Sequence, residues 1–451
     1  MAEVPQEQQK RQRQSQLPPP VYFLSLEIEN VLCFKFRQKL SLSDSKGFPA
    51  QWTVILGDNG AGKTTLLQCL AGMAETSVPA PVRNIDLEFA ESLVQHDKQI
   101  EIHAIFASGS SLSQPTNPEQ KSVIFSVQPD NSRNINHFQK YLRVSHSHEV
   151  LSEELPGLNC YGYGATRKMS GTSLSKTLGS GSSESLLTPN SELVNAEEWL
   201  LQADYAVARS TPTNRHKFKR RFSIIKEILK KLLPDVSDIR ITSVSENVPS
   251  PSAEFLTPYG WVPLQKLSLG YTTVIAWTVD LAARLIECYP QSEDPLAEPA
   301  IVLVDEIDLH LHPKWQRTIM SFLTERLPNT QFIVTAHSPL VVQAAKNANL
   351  VLLRREEDHV VIDNDPEVID NWRVDQVLTS VFELSTPHAA EIEPLIEQRR
   401  KLLGKSKLTA KDKRELKKLE EKIGRLPTAE SPEDIRAMDI IRKAAQLLEQ
   451  N

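Results

Sequence analysis

One run of eight residues constrains this chain more than any other. Gly57-Asp58-Asn59-Gly60-Ala61-Gly62-Lys63-Thr64 fits the pattern G-x-x-x-x-G-K-[ST]. It follows the β-rich run Trp52 to Leu56 and precedes a helical pattern that starts at Lys63. Glycines let consecutive backbone N–H groups turn inward and cradle phosphate oxygens, while the helix N-terminus adds partial positive charge. In such a loop Lys63 reaches the β- and γ-phosphates, and the Thr64 hydroxyl can hold Mg2+. Thr65 extends the candidate nucleotide-binding run by one residue.

A second apolar run, Ile301-Val302-Leu303-Val304, ends in the carboxylates Asp305 and Glu306. A run of this kind reads as a central parallel strand, whose carboxyl end is where ligands sit in an open α/β sheet. There Asp305 would hold the Mg2+ through water and Glu306 would act as general base on an attacking water. In the sequence 242 residues separate Lys63 from Asp305, so a large insertion must lie between the two halves.

Two shorter signals narrow the class. Leu267-Ser268-Leu269-Gly270-Tyr271 precedes a helical pattern in which Val274, Trp277, Leu281 and Leu285 share a face. A Ser-x-Gly turn at a helix N-terminus suits a γ-phosphate; an N-cap serine with a packing glycine reads the same way. Phe332-Ile333-Val334-Thr335-Ala336-His337-Ser338-Pro339 is another buried strand, ending in a histidine that suits either a γ-phosphate contact or a structural role.

Composition sets the outer limits. With 451 residues the chain has room for two or three domains or one elaborated domain, and its net charge of −6 excludes a globally basic nucleic-acid coat protein. Four dispersed cysteines with no CxxC pair suit a reducing cytosol. Residues 1–20 read as a disordered leader without an apolar signal segment, and no apolar stretch is long enough to span a bilayer. The expectation is a cytoplasmic protein with no membrane partner.

The order of these motifs resembles the ABC-type ATPase heads of the SMC and RecF class. It is most similar to the AAA-family ATPases of bacterial anti-phage systems, which include the Septu and retron-associated ATPase subunits. The resemblance rests on IENVLCF, GDNGAGKTT, CYGYGATR at Cys160–Arg167, LQKLSLGY, IVLVDEIDLHLHP, IVTAHSP and WRVDQVLTSVFEL. It implies an α/β P-loop NTPase with an ABC-type head, a helical insertion and a helical C-terminal region. Lys63 and Thr64 then belong to Walker A, Asp305 and Glu306 to Walker B, and His337 is the switch histidine. Asp308 lies in the D-loop. Ser268, Leu269 and Gly270 form a signature that acts in trans, with Leu269 where transporter-type proteins carry glycine. The Q-loop residue stays open between Gln128 and Arg167.

From these features the expected domains are a leader (1–20), an N-terminal lobe (21–107), an insertion (108–254), a C-terminal lobe (255–365) and a helical region (366–451). Within the insertion, Ser170 to Ser185 is low-complexity Ser/Gly, read as a mobile loop. Arg215 to Leu233 reads as an amphipathic helix with a basic face. Its Lys217, Lys219, Arg220 and Arg221 suit either DNA or RNA backbone contact or a solvated arm. Asp308-Leu-His310-Leu-His312 could be read as metal ligands, but Pro313 favours a loop leading into a helix. The expected function is an ATPase that forms a homodimer around ATP and Mg2+ and controls a separate effector nuclease in antiviral defence. The alternatives are a DNA repair ATPase acting directly on DNA, and a nucleotide-gated scaffold.

Overall fold

The computed structural model describes residues 18–74, 93, 98–109, 112, 118–129, 135–144, 150–151, 155–171, 182–188, 191–233, 235–242, 250–366, 374–382, 393–403 and 409–423. In chain order the first elements are β1 (Val21–Glu29), β2 (Gln38–Ser41), β3 (Trp52–Gly57) and helix α1 (Lys63–Ala74). Next come β4 (Ile100–Ser108), β5 (Glu119–Pro129), β6 (Ile135–Val144), β7 (Val150–Leu151) and β8 (Cys160–Tyr163). Helices α2 (Ala196–Arg209) and α3 (Pro212–Leu232) lead to the short strands β9 (Asp238–Ile241), β10 (Ala253–Thr257) and β11 (Gly260–Pro263). After helix α4 (Leu269–Cys288) come β12 (Ala300–Val304), β13 (Thr330–Thr335), β14 (Asn349–Glu356) and β15 (His359–Asp363).

The central sheet has the strand order β15-β14-β3-β13-β12-β8. Neighbours from β14 to β8 pair in parallel, and β15 closes the edge as an antiparallel hairpin with β14. β3, β12 and β13 are buried at every residue, as a parallel sheet covered on both faces requires. The strands that alternate form a second, antiparallel sheet in the order β2-β1-β4-β5-β6-β7. α1 belongs to the core that the two sheets share: Leu66, Leu67 and Leu70 cluster with Phe23, Phe106, Ile55, Leu303 and Ile333. Fully burying a side chain of this size stabilises by about 1.5–3 kcal/mol, so this shared core carries much of the fold.

One buried polar side chain joins the two sheets. β1 slips register between Phe23 and Ser25, freeing the main chain of Phe23. Gln331 of β13, fully buried, accepts from the Phe23 N–H at 2.8 Å and donates to the Phe23 carbonyl at 2.9 Å. An unpaired backbone pair there would be costly, and the amide satisfies both groups.

The expected lobe boundaries need correction. β4 runs to Ser108 and pairs along its length with β5, so position 108 cuts a hairpin rather than beginning an insertion. The interval read as insertion contains β5 and β6. β8 is a strand of the central sheet, parallel to β12, although it falls inside the interval read as insertion. What remains between the two halves of the head is α2, α3 and the three-stranded sheet β11-β10-β9. Most of the Ser/Gly-rich segment and the leader through residue 17 lie outside the described residues.

Residues 1–372 form one compact unit and residues 373–451 a second. The second unit holds helices at Val374–Ser380, Glu393–Leu403 and Ala410–Ile423. Leu402 and Leu419 pack together with Leu395, Ile396 and Leu416, and Thr409 and Asp412 cap the last helix reciprocally. No helix among the described residues is long and apolar enough to cross a membrane, and none of the four cysteines forms a disulfide.

Candidate functional site

The glycine-rich run forms the turn between β3 and α1, as strand, loop and helix signals require. Gly57, Gly60 and Gly62 take positive φ (147°, 78° and 85°). Gly62 has a second reason to lack a side chain: a Cβ there would lie 2.6 Å from Cys33 Sγ and 2.7 Å from the Phe34 ring. Lys63 folds back over the loop, its Nζ donating to the carbonyls of Gly57 and Asp58 at 2.8 Å each. Burial pushes the Lys63 ammonium below the usual lysine range, against the opposing pull of Asp305, Glu306, Asp58 and Asp308.

β12 delivers Asp305 to the same place. The Thr64 hydroxyl donates to Asp305 Oδ2 at 2.8 Å, joining residues 241 positions apart. The other carboxylate oxygen accepts from the Thr335 hydroxyl of β13 at 2.6 Å, and Thr335 Oγ1 in turn accepts the Glu306 N–H at 2.7 Å. One threonine thus orients both acids. Its signal was a hydroxyl that ends the apolar run Phe332–Val334, two residues before His337.

Glu306 sits in the left-handed region at φ 50°, which costs a non-glycine residue about 1–3 kcal/mol unless its surroundings hold it there. Its carbonyl accepts from the Leu309 N–H at 3.0 Å and from Arg167 Nη2 at 2.6 Å. Glu306 lines an open cleft. Asn59, Gly60, Gly62, Lys63, Thr64, Thr65, Asp305 and His337 also line this cleft, with Leu32 and Cys33 on its apolar side.

Asp308 and His337 are likewise brought together, both oxygens of the Asp308 carboxylate accepting the His337 N–H at 3.2 Å. Gln316, unmarked in the sequence reading, ties this corner down: its amide donates to the carbonyls of Asp308 and Leu311 and accepts from the Ser338 hydroxyl. His312 caps the short helix that starts at Pro313, accepting the Lys314 N–H on Nδ1. That N-cap contact accounts for the residue without a metal.

Ser268 stands at the N-cap of α4, exposed, with no side-chain cap bond. Leu269 is 64% exposed beside it. A Cβ on Gly270 would come within 2.5 Å of the His310 carbonyl, so this turn packs closely against the loop that follows Glu306. Behind the exposed tip the helix is anchored. Asp280, 1% exposed, accepts from Tyr163 of β8, from the Val194 N–H and from Arg284.

Thr64 Oγ1 and Asp305 offer hard oxygen donors side by side, the set that Mg2+ takes when phosphates and water complete its shell. No group of three or more His, Cys, Asp or Glu side chains that could hold a metal ion occurs among the described residues.

The basic helix is present as α3, with Ile225, Ile228, Leu229 and Leu232 buried and Phe218 and Phe222 half-buried. Its cations are largely engaged within the chain. Arg220 pairs with Glu293 at 2.6 Å, Arg221 donates to the Pro290 carbonyl, and Lys226 and Lys230 face Asp238. Of Gln128 only the strand backbone is described; Arg167 is buried beside the carboxylates.

Comparison with known proteins places this site in a family. The family model described as "AAA domain, putative AbiEii toxin, Type IV TA system" matches residues 52–343, from β3 to beyond His337. The chain is 30% identical over 205 residues to a retron Vc95 probable ATPase of Vibrio cholerae serotype O1 biovar El Tor, covering 45% of this chain and 39% of that protein. It is 36% identical over 152 residues to a retron Ec83 probable ATPase of Escherichia coli, covering 34% and 27%. Against the Septu protein PtuA of Bacillus mycoides (strain KBAB4) it is 26% identical over 407 residues, covering 88% and 50%. The chain spans half or less of the length of these curated relatives. Among solved structures, an SMC head bound to the C-winged helix domain of ScpA aligns with a TM-score of 0.46 at 17% identity, covering 76% of this chain and 97% of that one. With the matched segment spanning well over half of the sequence and carrying both halves of the cleft, the chain belongs to this AAA-domain ATPase family.

Proposed function

We propose that the chain is an ATP hydrolase whose two copies enclose ATP and Mg2+, each completing the other's site. The observation that carries the reading is the chain of hydrogen bonds Thr64–Asp305–Thr335–Glu306 beside Lys63, which gathers phosphate, metal and proton-transfer groups on one cleft. Mg2+, when bound, neutralises charge on the β- and γ-phosphate oxygens. Lys63, released from the Gly57 and Asp58 carbonyls, supplies a cation to the same oxygens. Glu306 takes a proton from the attacking water as general base, and His337 contacts the γ-phosphate edge of the cleft.

The exposed, uncapped tip of α4 supports the trans arrangement. Its first N–H groups point outward with no side-chain cap from Ser268, a ready anion site, and Leu269 is left in solvent. The loop at 308–312 lies against the same turn, so a second copy would meet both together.

The relatives named as retron and Septu components favour a role in bacterial antiviral defence, in which the ATP cycle controls a separate effector nuclease. Direct DNA action is less well supported. Arg220 and Arg221 already have acceptors in the chain, leaving Lys217 and Lys219 for a phosphate backbone.

Steady-state hydrolysis by Glu306→Gln and nucleotide binding by Lys63→Ala test the reading. Glu306→Gln should lower turnover by about 100-fold or more while retaining ATP, in the range expected for loss of a general base. Lys63→Ala should weaken ATP binding at least about tenfold, as expected for loss of a charge-assisted contact. Wild-type turnover in the first, or wild-type affinity in the second, would contradict the assignment.

A further inference from the structure

Arg167 follows β8 and is 2% exposed, an unusual place for a guanidinium. Burial pushes the Arg167 guanidinium down to about 10, against the opposing pull of Asp305, Asp308 and Glu306. Yet its observed hydrogen bond goes to a main-chain oxygen: Nη2 donates to the Glu306 carbonyl at 2.6 Å. Its Nε is buried without a partner among the described residues. Arg167 is itself in the left-handed region, at φ 36°, as is Glu306 at φ 50°. Two residues in the left-handed region, each a short way beyond the end of one of two neighbouring strands, therefore meet through one charge-assisted bond. The β8–β12 pairing brings their two segments side by side, since Val304 lies opposite Tyr163 and the Asp305 N–H donates to the Tyr163 carbonyl at 2.8 Å.

We infer that Arg167 is a positioning residue for the proposed general base, holding the Glu306 backbone in the conformation that turns its carboxylate into the cleft. The inference rests on the hydrolase reading above. A residue that served only to balance buried charge would face the carboxylates and leave the strained carbonyl to others. Because Arg167 reaches the main chain and not the reacting atoms, its removal should disturb the chemical step while leaving nucleotide binding in place. Lysine at this position keeps the charge but loses the planar fork, so it should restore part of the effect.

The test is a double-mutant cycle on the full chain, reading hydrolysis, the affinity of a fluorescent ATP analogue and thermal stability. Arg167→Ala should lower kcat by about 100-fold, the order expected for a misplacement near 1 Å, with KM and analogue affinity within about twofold. Arg167→Lys should fall between the two. In a Glu306→Gln background, Arg167→Ala should lower the residual rate no further, because the two act as one unit. Should Arg167→Ala not fold, Arg167→Lys in both backgrounds decides the matter alone. An equal fold-loss in both backgrounds, or unchanged kcat in either Arg167 variant, would overturn the inference. Wild-type turnover by Glu306→Gln alone would instead overturn the reading of Glu306 as base, so the two failures are distinguishable.

Discussion

The Thr64 hydroxyl donates to Asp305 Oδ2 at 2.8 Å, closing the distance between the first helix of the head and a strand 241 residues further on. Both groups are suited to a divalent cation. Replacing the hydroxyl by a methyl in Thr64→Val keeps the shape and removes the donor. We expect hydrolysis to demand more Mg2+ in this variant, and likewise in Asp305→Asn, with at least a tenfold rise in the concentration giving half-maximal rate, about 1.4 kcal/mol. Titrating Mg2+ at fixed ATP checks it; an unchanged midpoint in both variants would mean the cation is held elsewhere.

Burial holds the Lys63 ammonium below its ordinary pKa. ATP binding requires the charged form, so affinity in alkaline solution should begin to fall before the ordinary lysine range is reached. The sign for stability is opposite. Below the lowered pKa both folded and unfolded chains carry the proton; between the lowered and ordinary values only the unfolded chain does, and this group's contribution to stability rises with pH. Measuring analogue affinity from neutral pH upward tests the first part. A decline confined to the ordinary lysine range would show that burial does not perturb the group.

Gly62 and Gly60 separate strain from crowding within one loop. Both have φ near 80°, but a Cβ on Gly60 meets nothing within 4 Å, whereas one on Gly62 meets Cys33 and the fully buried Phe34 ring. Gly60→Ala should cost only the backbone term, about 1–2 kcal/mol. Gly62→Ala adds overpacking of about 1–3 kcal/mol and displaces the loop, so it should melt lower than Gly60→Ala and bind nucleotide more weakly. Equal melting temperatures for the two would contradict the packing described for Phe34.

Much of the central sheet was legible because its strands are continuous apolar runs bounded by chemistry-bearing ends: Trp52–Gly57 by the glycine loop, Ala300–Val304 by Asp305, and Thr330–Thr335 by His337. The antiparallel strands β5 and β6 were missed for a physical reason. Their apolar residues alternate with Ser, Gln, Lys and Arg, and they follow a Ser/Pro/Asn-rich segment that lowers the local average. The alternation Val123, Phe125, Val127, all buried, was the available signal. β8 was hidden differently: four residues, two of them tyrosine, gain their strand identity from pairing with β12, which no local pattern encodes. Around the site, Thr335 and Gln316 act through hydrogen bonds between segments far apart in sequence. Their roles follow from the fold rather than from residue type.

The engaged basic helix shows the limit of reading charge from sequence. Arg220 and Arg221 both lie on α3, but the loop at 290–293 supplies acceptors to both. Only the tertiary structure brings Pro290 and Glu293 there.

The central claim is that nucleotide joins two copies across their exposed α4 tips. Light scattering of Glu306→Gln with and without ATP and Mg2+ measures it directly. The account predicts a doubling of mass on adding nucleotide, abolished by Ser268→Arg, which puts bulk and charge at the tip without touching the chain's own cleft. An unchanged mass with ATP demonstrably bound would contradict it.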